Sequence, residues 1–232
     1  MKTIYLGEVP YAEIYQKMQD FTLGRTSDTP DELWICEHPK VYTLGLSASP
    51  KDLLHASDIP LIQTNRGGQI THHGPGQVVA YPLINLSHKG YFVKEYVFRL
   101  EEAVIKTLNT LGLTAHRVLG APGVYVNAHD PQSHERFVYS PFETASLSQA
   151  PKTTTPDFKG LSKIAAIGVK VTKHCTYHGL SLNVSMDMAP FDAINPCGYE
   201  GLSTTNLHKL GVMLNCQDVS VLLAEKLNTY LS

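Results

Sequence analysis

The stretch RGGQITHHGPGQ at residues 66–77 runs on into VVAYP at residues 78–82 and determines how the rest of this chain is interpreted. It places four glycines, an arginine, two histidines and a proline between apolar residues. Glycine lets a ligand approach backbone N–H groups closely and adopts positive φ without steric cost. Clusters of Gly and Pro are also typical of ordinary turns, but a plain turn requires neither Arg66 nor paired histidines. We therefore predict a binding loop here, with an ordinary turn as the alternative.

Composition limits the classes of function. The chain has 232 residues, of which 43% are hydrophobic and 17% charged, so we expect one large globular domain over residues 1–232. Its net charge of -2 gives no general attraction to nucleic acid or an anionic membrane, and we expect neither as a partner. The first residues lack the apolar segment of a secretory signal, and no stretch reaches the length of a membrane span. The four cysteines form no C-x-x-C pair and the eleven histidines no H-E-x-x-H, which favours a cytoplasmic protein with free thiols and no metal.

Hydrophobic periodicity predicts three helices and several short strands. The helices are expected at residues 11–23, 93–111 and 218–231, with Gly112 ending the second and Asp218 capping the third. Strands are expected at residues 33–36, 41–44, 77–86 with an interruption at Pro82, 123–126, 164–171 and 180–184. A polar stretch at about 127–160 is predicted to be a long insertion. Because helices and strands are mixed without a regular βαβ rhythm, the expected class is α+β, or mixed α/β.

Two residues far from the loop carry candidate chemistry. Cys197 lies in NPCG at residues 195–198, a tight segment that can present a thiolate nucleophile. Free cysteines are more commonly small buried hydrophobes, and this alternative stays open. Lys163 begins a strand of small and apolar residues, where a solvated strand end is the ordinary interpretation. Its alternative role is chemical, because an amine beside a thiol favours the thiolate and, when partly desolvated, can transfer protons.

Several motifs together resemble a known enzyme family. They are the loop at 66–77 with Tyr81 and Pro82, KIAAIG at 163–168, YHGLSLNV at 177–184 and NPCG at 195–198, preceded by EHP at 37–39 and VYTLG at 41–45. In this order, and over nearly the whole chain, they closely resemble the octanoyltransferases of lipoate biosynthesis, or lipoyl(octanoyl) transferases.

The resemblance implies a fold, a reaction and partners. The fold would be the catalytic-domain fold of the biotin and lipoate protein ligases, with a central mixed sheet flanked by helices. The reaction would move an octanoyl or lipoyl group from the thioester of acyl carrier protein to a specific lysine of lipoyl domains, with no cofactor. The acceptors in this protein lipoylation would be the lipoyl domains of 2-oxoacid dehydrogenase complexes and the glycine cleavage H protein.

The resemblance also assigns roles to residues. Cys197 matches the acyl-accepting cysteine, and Lys163 matches the lysine that activates it. His73 is a third catalytic candidate, for hydrogen bonding or proton transfer near the thioester, with a structural histidine as the alternative. His72 and His178 are weaker catalytic candidates. The residues that match the lining of the acyl pocket are Arg66, Gly67, Gly68, Gln69, Ile70, Thr71, His72, His73, Ala166, Ile167, Gly168, Gly179, Leu180 and Ser181.

The residue types suit this reaction independently of the resemblance. A thiol can accept an acyl group from another thioester at little cost in free energy, and later attack by an amine gives a more stable amide. Covalent catalysis divides one difficult transfer into two easier ones. Each step passes through an oxyanion, which backbone N–H groups of a glycine-rich loop can stabilise by about 2.7 to 4 kcal/mol per donor.

Two alternatives to the transferase stay open. An ATP-dependent lipoate or biotin protein ligase shares the arginine-glycine-glycine loop but needs no cysteine nucleophile, so Cys197 favours the transferase. A non-catalytic acyl- or lipoyl-domain-binding protein would keep the pocket without the chemistry, and the pairing of Lys163 with Cys197 argues against it. The chain departs from the usual family pattern at His72, where tyrosine is commoner, at Tyr125, where tryptophan is commoner, and in the length of the insertion.

Overall fold

The computed structural model describes residues 1–55, 57–133, 156–158 and 160–232, and for Pro50 and Cys197 it describes the backbone. The strands in chain order are β1 (Lys2–Glu8), β2 (Glu32–Glu37), β3 (Val41–Leu44), β4 (Leu61–Gln63), β5 (Ile70–His73), β6 (Gln77–Leu83), β7 (Ala115–Val118), β8 (Ala121–Asn127), β9 (Leu161–Thr172) and β10 (Cys175–Asn183). The helices are α1 (Tyr11–Leu23), α2 (Leu86–Lys89), α3 (Val93–Thr110) and α4 (Cys216–Tyr230). Short 3-10 turns occur at Pro50–Asp52, Ala189–Ala193, Pro196–Gly198 and His208–Leu210.

Seven strands form the main sheet in the order β1-β2-β6-β10-β9-β8-β7. β1 and β2 run parallel, whereas each of the other neighbouring pairs is antiparallel. A smaller sheet has the order β4-β3-β5, with β3 parallel to β4 and antiparallel to β5. The predicted mixed sheet and α+β class are confirmed.

Side chains alternate between the two faces of the main sheet along its central strands, and both faces are buried. In β2, Leu33 and Ile35 join the apolar cluster that contains residues of α3 and α4, whereas Trp34 and Cys36 join the cluster that contains residues of α1. β6 is buried over its whole length, as expected for a strand covered on both faces. The sheet therefore lies between α3 and α4 on one side and α1 on the other, which confirms the predicted flanking helices.

Pro82 lies within β6 rather than interrupting it. β6 pairs with β10 only as far as Ala80, whereas its pairing with β2 continues and places Leu33 opposite Pro82. Proline has no N–H to donate, so it is tolerated where the ladder on one side has already ended. The prediction that Pro82 interrupts the strand is therefore wrong. What ends before Pro82 is the pairing of β6 with β10. The predicted strand was also too long, because Leu86 begins α2.

The three predicted helices are confirmed, with one correction to a cap. α1 has the predicted bounds, and α3 ends just before Gly112, whose φ of +78° suits a helix end. α4 begins earlier than predicted, because Asn215 is its cap and accepts a hydrogen bond from the Asp218 N–H at 2.9 Å. The prediction that Asp218 caps this helix is wrong. Asp218 instead lies in the first turn, where its charge suits the helix N-terminus.

The predicted insertion at 127–160 lies largely outside the described residues, since residues 134–155 and 159 are not among them. Its role stays a prediction. Within the described part of the chain, no helix is both long enough and apolar enough to cross a membrane.

Candidate functional site

The predicted binding loop is divided between an irregular segment and a strand. Residues 64–69 form the irregular part, called here the glycine loop, and residues 74–76 turn the chain from β5 into β6. Arg66 is buried and holds the glycine loop in shape. Its Nη2 donates to Thr43 O at 2.6 Å and to Gln69 O at 2.7 Å, and its Nη1 donates to Gly67 O at 3.0 Å. Charge-assisted bonds to several carbonyls make Arg66 the structural anchor of this loop.

The glycine loop lies over β9 at distances that require glycine. Gly67 N donates to Val169 O at 2.9 Å, which joins the loop to the strand. A Cβ on Gly168 would lie 2.9 Å from Gly67 O, and one on Gly45 would overlap the Gly68 carbonyl. Without side chains at these positions, the glycine loop can pack directly on β9 and on the residue that follows β3.

A narrow pocket, called here the inner pocket, lies between the glycine loop and the paired strands β9 and β10. Every predicted pocket residue except Gly67 and His72 lines it, and the lining also includes Tyr11, Val79, Tyr81 and His178. Its volume is about 40 Å³, well below the roughly 300 Å³ at which small-molecule sites usually begin. An acyl chain would therefore have to widen the pocket, and binding of substrate by these residues stays a prediction.

His73 lies in the wall of the inner pocket and is held by its neighbours. Its Nδ1 is 2.7 Å from Gln77 Oε1, and its ring stacks on that of Tyr11 with centroids 5.7 Å apart. Burial, followed by the nearby His38, holds the pKa of His73 well below its usual range, so the ring is neutral. These contacts give His73 a structural role, and its catalytic role stays a prediction.

His178 closes one side of the inner pocket in an unusual backbone conformation. Its φ is +58°, in the left-handed region that non-glycine residues rarely adopt. Its Nε2 lies 3.0 Å from Asn65 Oδ1 and its Nδ1 lies 3.4 Å from the Tyr11 hydroxyl. Burial, with a smaller contribution from the charge of Arg66, lowers the pKa of His178 to about 3. The neutral ring therefore links α1 to the glycine loop.

His72 faces away from the inner pocket, because side chains alternate along β5. Its ring packs edge-on against Tyr42 and Phe191, with centroids 5.3 and 5.6 Å away. Only 1% of the residue is exposed, and neither ring nitrogen has a hydrogen-bond partner among the described residues. Burial lowers the pKa of His72 to about 4. His72 therefore has the surroundings of a core side chain. Contact between His72 and substrate stays a prediction.

A second cavity, called here the lysine cavity, adjoins the inner pocket. Its lining includes Lys163 and Pro196, the residue immediately before Cys197. It shares Thr71, Ala166 and Ser181 with the inner pocket. Lys163 and Pro196, 33 positions apart in sequence, therefore border one small space.

Lys163 is buried, with 4% of the residue exposed, so its interpretation as a solvated strand end is wrong. Its Nζ donates to Pro122 O at 3.0 Å and to the Tyr125 hydroxyl at 3.3 Å. Its backbone pairs with residues 203–205, which follow the short 3-10 turn Pro196–Gly198. Lys163 N donates to Ser203 O at 2.8 Å, and Thr205 N donates to Lys163 O at 2.9 Å. This pairing brings the amine and the turn into the same region.

The predicted nucleophile lies in the 3-10 turn Pro196–Gly198, called here the Pro-Cys-Gly turn. Gly198 N donates to Asn195 O at 2.9 Å, and Gly198 has a φ of +70°. A Cβ on Gly198 would overlap the side-chain amide of Gln69. Glycine at 198 therefore allows the glycine loop to contact the Pro-Cys-Gly turn directly.

A third cavity, called here the outer groove, lies on the other side of the glycine loop. Its volume is about 290 Å³, and its lining includes Val97, Pro122 and Tyr199. Gln69 and Gly168 line both the outer groove and the inner pocket. The glycine loop therefore separates a roomy groove from a narrow pocket.

Sequence reasoning missed the tyrosines of the inner pocket. Tyr11 is buried on the apolar face of α1, where the periodicity alone predicts a core residue, but its hydroxyl lies 3.4 Å from His178 Nδ1. The Tyr81 hydroxyl is 2.7 Å from His38 Nε2. A buried phenol needs a polar partner, so tyrosine in an apolar stripe was the available signal. Among the described residues, no group of three or more His, Cys, Asp or Glu side chains could hold a metal ion.

Comparison with known proteins identifies the family. The sequence profile of the lipoyl protein ligase A/B catalytic domain matches residues 12–228. The chain belongs to this family. It is 56% identical over 230 residues to an octanoyltransferase of Polaromonas naphthalenivorans (strain CJ2), covering 99% of this chain and 98% of that protein. The resemblance to octanoyltransferases is confirmed, and the protein is an acyltransferase that transfers octanoyl or lipoyl groups.

Solved structures of a lipoate protein ligase and a biotin protein ligase share the fold. One is the bi-partite lipoate protein ligase of Thermoplasma acidophilum, studied with its E2 lipoyl domain, which matches with a TM-score of 0.63 at 13% identity over 99% of this chain and 83% of its own. Another is the biotin protein ligase of Aquifex aeolicus, with a TM-score of 0.52 at 10% identity over 99% of this chain and 70% of its own. At these identities the likeness shows the fold alone.

Proposed function

We propose that the protein moves an octanoyl group from the thioester of acyl carrier protein to a lysine of a lipoyl domain, through an acyl-enzyme on Cys197. The observation that carries this proposal is the lysine cavity. Lys163 and Pro196 border it, and it adjoins the inner pocket, in which an acyl chain could lie. A nucleophile, a cation and an apolar pocket are what a two-step acyl transfer requires.

In the first step, the Cys197 thiolate attacks the carbonyl carbon of the donor thioester. The new C–S bond forms to Cys197, the donor C–S bond breaks, and the carrier sulfur leaves as a thiol after taking a proton from the Lys163 ammonium, which becomes a neutral amine. Lys163 favours the thiolate electrostatically, since an ammonium group near a thiol stabilises its charged form. Support comes from the burial of Lys163, because a charge with little solvent around it acts strongly on its neighbours.

In the second step, the acceptor lysine attacks the acyl-enzyme carbonyl. A C–N bond forms, the C–S bond to Cys197 breaks, and the proton lost by the amine is carried by Lys163 to the leaving sulfur. An amide is more stable than a thioester, so the transfer needs no ATP. Support for a lipoyl domain as acceptor comes from the bi-partite lipoate protein ligase of Thermoplasma acidophilum, which shares the fold and was analysed together with its E2 lipoyl domain.

The decisive experiment is intact-mass analysis after mixing the protein with octanoyl-carrier protein and no ATP. We expect an octanoyl adduct that hydroxylamine removes and that peptide mapping assigns to Cys197. Addition of a lipoyl domain should then remove the octanoyl group from the enzyme and produce octanoylated lipoyl domain.

Variants make this test specific. Cys197→Ser should form no thioester adduct and transfer almost no acyl group while its melting curve stays normal. The matched control is Cys216→Ser, which changes a half-buried cysteine at the start of α4 that lines neither the inner pocket nor the lysine cavity. Full activity in Cys197→Ser would refute the acyl-enzyme. Strict dependence on ATP and free octanoate would instead favour a ligase.

A further inference from the structure

Gln69 occupies the junction of the inner pocket and the outer groove. Its side chain lies against Gly198 in the Pro-Cys-Gly turn, where a Cβ would overlap it. Gln69 also lines both the inner pocket and the outer groove. Its amide therefore lies against the turn that contains the predicted nucleophile, on the boundary between the inner pocket and the outer groove.

The side-chain oxygen of Gln69 is buried, but no hydrogen bond to it exists among the described residues. Leaving a buried acceptor without a donor costs roughly 1–3 kcal/mol, so such atoms in native structures call for an explanation. The backbone of Gln69 is fixed, since its carbonyl oxygen accepts from Arg66 Nη2 at 2.7 Å and from Gly45 N at 3.2 Å. A fixed backbone thus presents a side-chain acceptor that has no donor among the described residues.

The chemistry of the second half-reaction supplies a suitable donor. An amine that attacks an acyl-enzyme keeps N–H groups pointing away from the bond it forms, and a carbonyl oxygen placed beside it can orient it. Acyl transfer to Cys197, by contrast, brings in a thioester, which has no N–H or O–H at the reacting atoms. An acceptor at this position is therefore useful to the amine and not to the thioester.

We propose that Gln69 Oε1 orients the amine of the acceptor lysine, which reaches the acyl-enzyme by way of the outer groove. The inference rests on the function proposed above and assigns a partner to its second step. The groove suits this route because its volume of about 290 Å³ exceeds the about 40 Å³ of the inner pocket, and Gln69 borders both. Gln69 contacts the reacting amine and is a catalytic residue for aminolysis alone.

The test separates the two half-reactions in single-turnover experiments. Octanoyl-carrier protein is mixed with excess enzyme, and the rate of adduct formation on Cys197 is followed by intact mass. The isolated acyl-enzyme is then mixed with a lipoyl domain, and amide formation is followed in the same way. N-acetyl-lysine methylamide serves as a second acceptor that lacks the lipoyl-domain surface.

Gln69→Met keeps the length of the side chain and removes its acceptor. We expect acyl loading within about twofold of the unchanged protein and amide formation slower by roughly tenfold, the factor for one hydrogen bond. Both acceptors should slow equally, because the lost contact is to the amine. Gln69→Glu keeps an acceptor oxygen and should form amide faster than Gln69→Met, which guards against a general effect of substitution at this site.

The matched control is Gln63→Met, since Gln63 lies in β4 and lines neither cavity. It should leave both rates unchanged. Equal slowing of both steps in Gln69→Met would overturn the proposal, because it would assign Gln69 to the pocket wall or to the oxyanion. No slowing of either step would overturn it as well. Absence of any adduct on Cys197 in the unchanged protein would instead refute the acyl-enzyme mechanism itself.

Discussion

His72→Phe is expected to stabilise the protein, and more so in acid. The imidazole is 1% exposed, both ring nitrogens lack hydrogen-bond partners among the described residues, and the ring packs edge-on against Tyr42 and Phe191. Phenylalanine keeps those ring contacts and buries no polar atom. Removing unsatisfied buried nitrogens should raise the free energy of unfolding by about 1–2 kcal/mol at pH 7.5.

The acid contribution follows from the pKa of His72, which burial lowers from 6.5 to about 4. Between these values the unfolded chain binds more protons than the folded one, so the stability contributed by the neutral ring is lost as the pH falls. At pH 5 the loss amounts to about 2 kcal/mol, whereas at pH 7.5 it is negligible. The advantage of His72→Phe should therefore grow by about 2 kcal/mol between pH 7.5 and pH 5.

Urea unfolding at the two pH values measures this difference, and each kcal/mol should also raise the Tm by about 2–4 °C. His38→Phe is the contrasting control. Burial also lowers the pKa of His38 to about 4, but its ring nitrogens lie 2.6 Å from Val9 O and 2.7 Å from the Tyr81 hydroxyl. That variant should be less stable at pH 7.5. The reasoning fails if His72→Phe is no more stable at pH 7.5, or if its gain is the same at both pH values.

Three further substitutions test the site. Arg66→Lys keeps the charge but loses the planar fork that holds the glycine loop, so unfolding in urea should show a loss of about 2–4 kcal/mol, and equal stability would contradict the anchoring role. Gly168→Ala places a Cβ 2.9 Å from Gly67 O, so the glycine loop must shift and the KM for octanoyl-carrier protein should rise at least tenfold; an unchanged KM would count against the inner pocket as the acyl site. In Gly198→Ala the added Cβ overlaps the Gln69 amide at a φ of +70°, so the Pro-Cys-Gly turn must move. We expect adduct formation at least tenfold slower with only about 1 kcal/mol lost in stability, whereas normal loading rates would show that loading does not depend on the conformation of this turn.

Local sequence determined most of the regular structure. The spacing of apolar residues in α1 predicts its bounds because burial of one face is itself periodic. The same reasoning missed β1, in which every residue is exposed or half-buried, so its apolar pattern is weak. It also placed the cap of α4 at Asp218 instead of Asn215. Both are good capping residues, and the choice depends on where the backbone turns extended, which tertiary packing decides.

The two histidines of the predicted binding loop face opposite sides of β5 because they occupy neighbouring positions in a strand. The sequence predicts a binding loop over residues 66–77, and in a loop the side chains of neighbouring residues have no fixed relation. As part of β5 the side chains of residues 70–73 alternate, so His73 faces the inner pocket and His72 the core around Phe191. A strand prediction there would have separated the two residues.

The sequence by itself determined the family and the candidate residues, because the glycine loop, Lys163 and Cys197 are recognisable as residue types in fixed local contexts. Tertiary structure alone decided that Lys163 is buried and borders the same cavity as Pro196. That proximity comes from hydrogen bonds between β9 and residues 203–205, a pairing between distant parts of the chain that local patterns do not encode. Tertiary structure also decided that the Gln69 amide lies against Gly198, because that contact exists only when the glycine loop packs on the Pro-Cys-Gly turn.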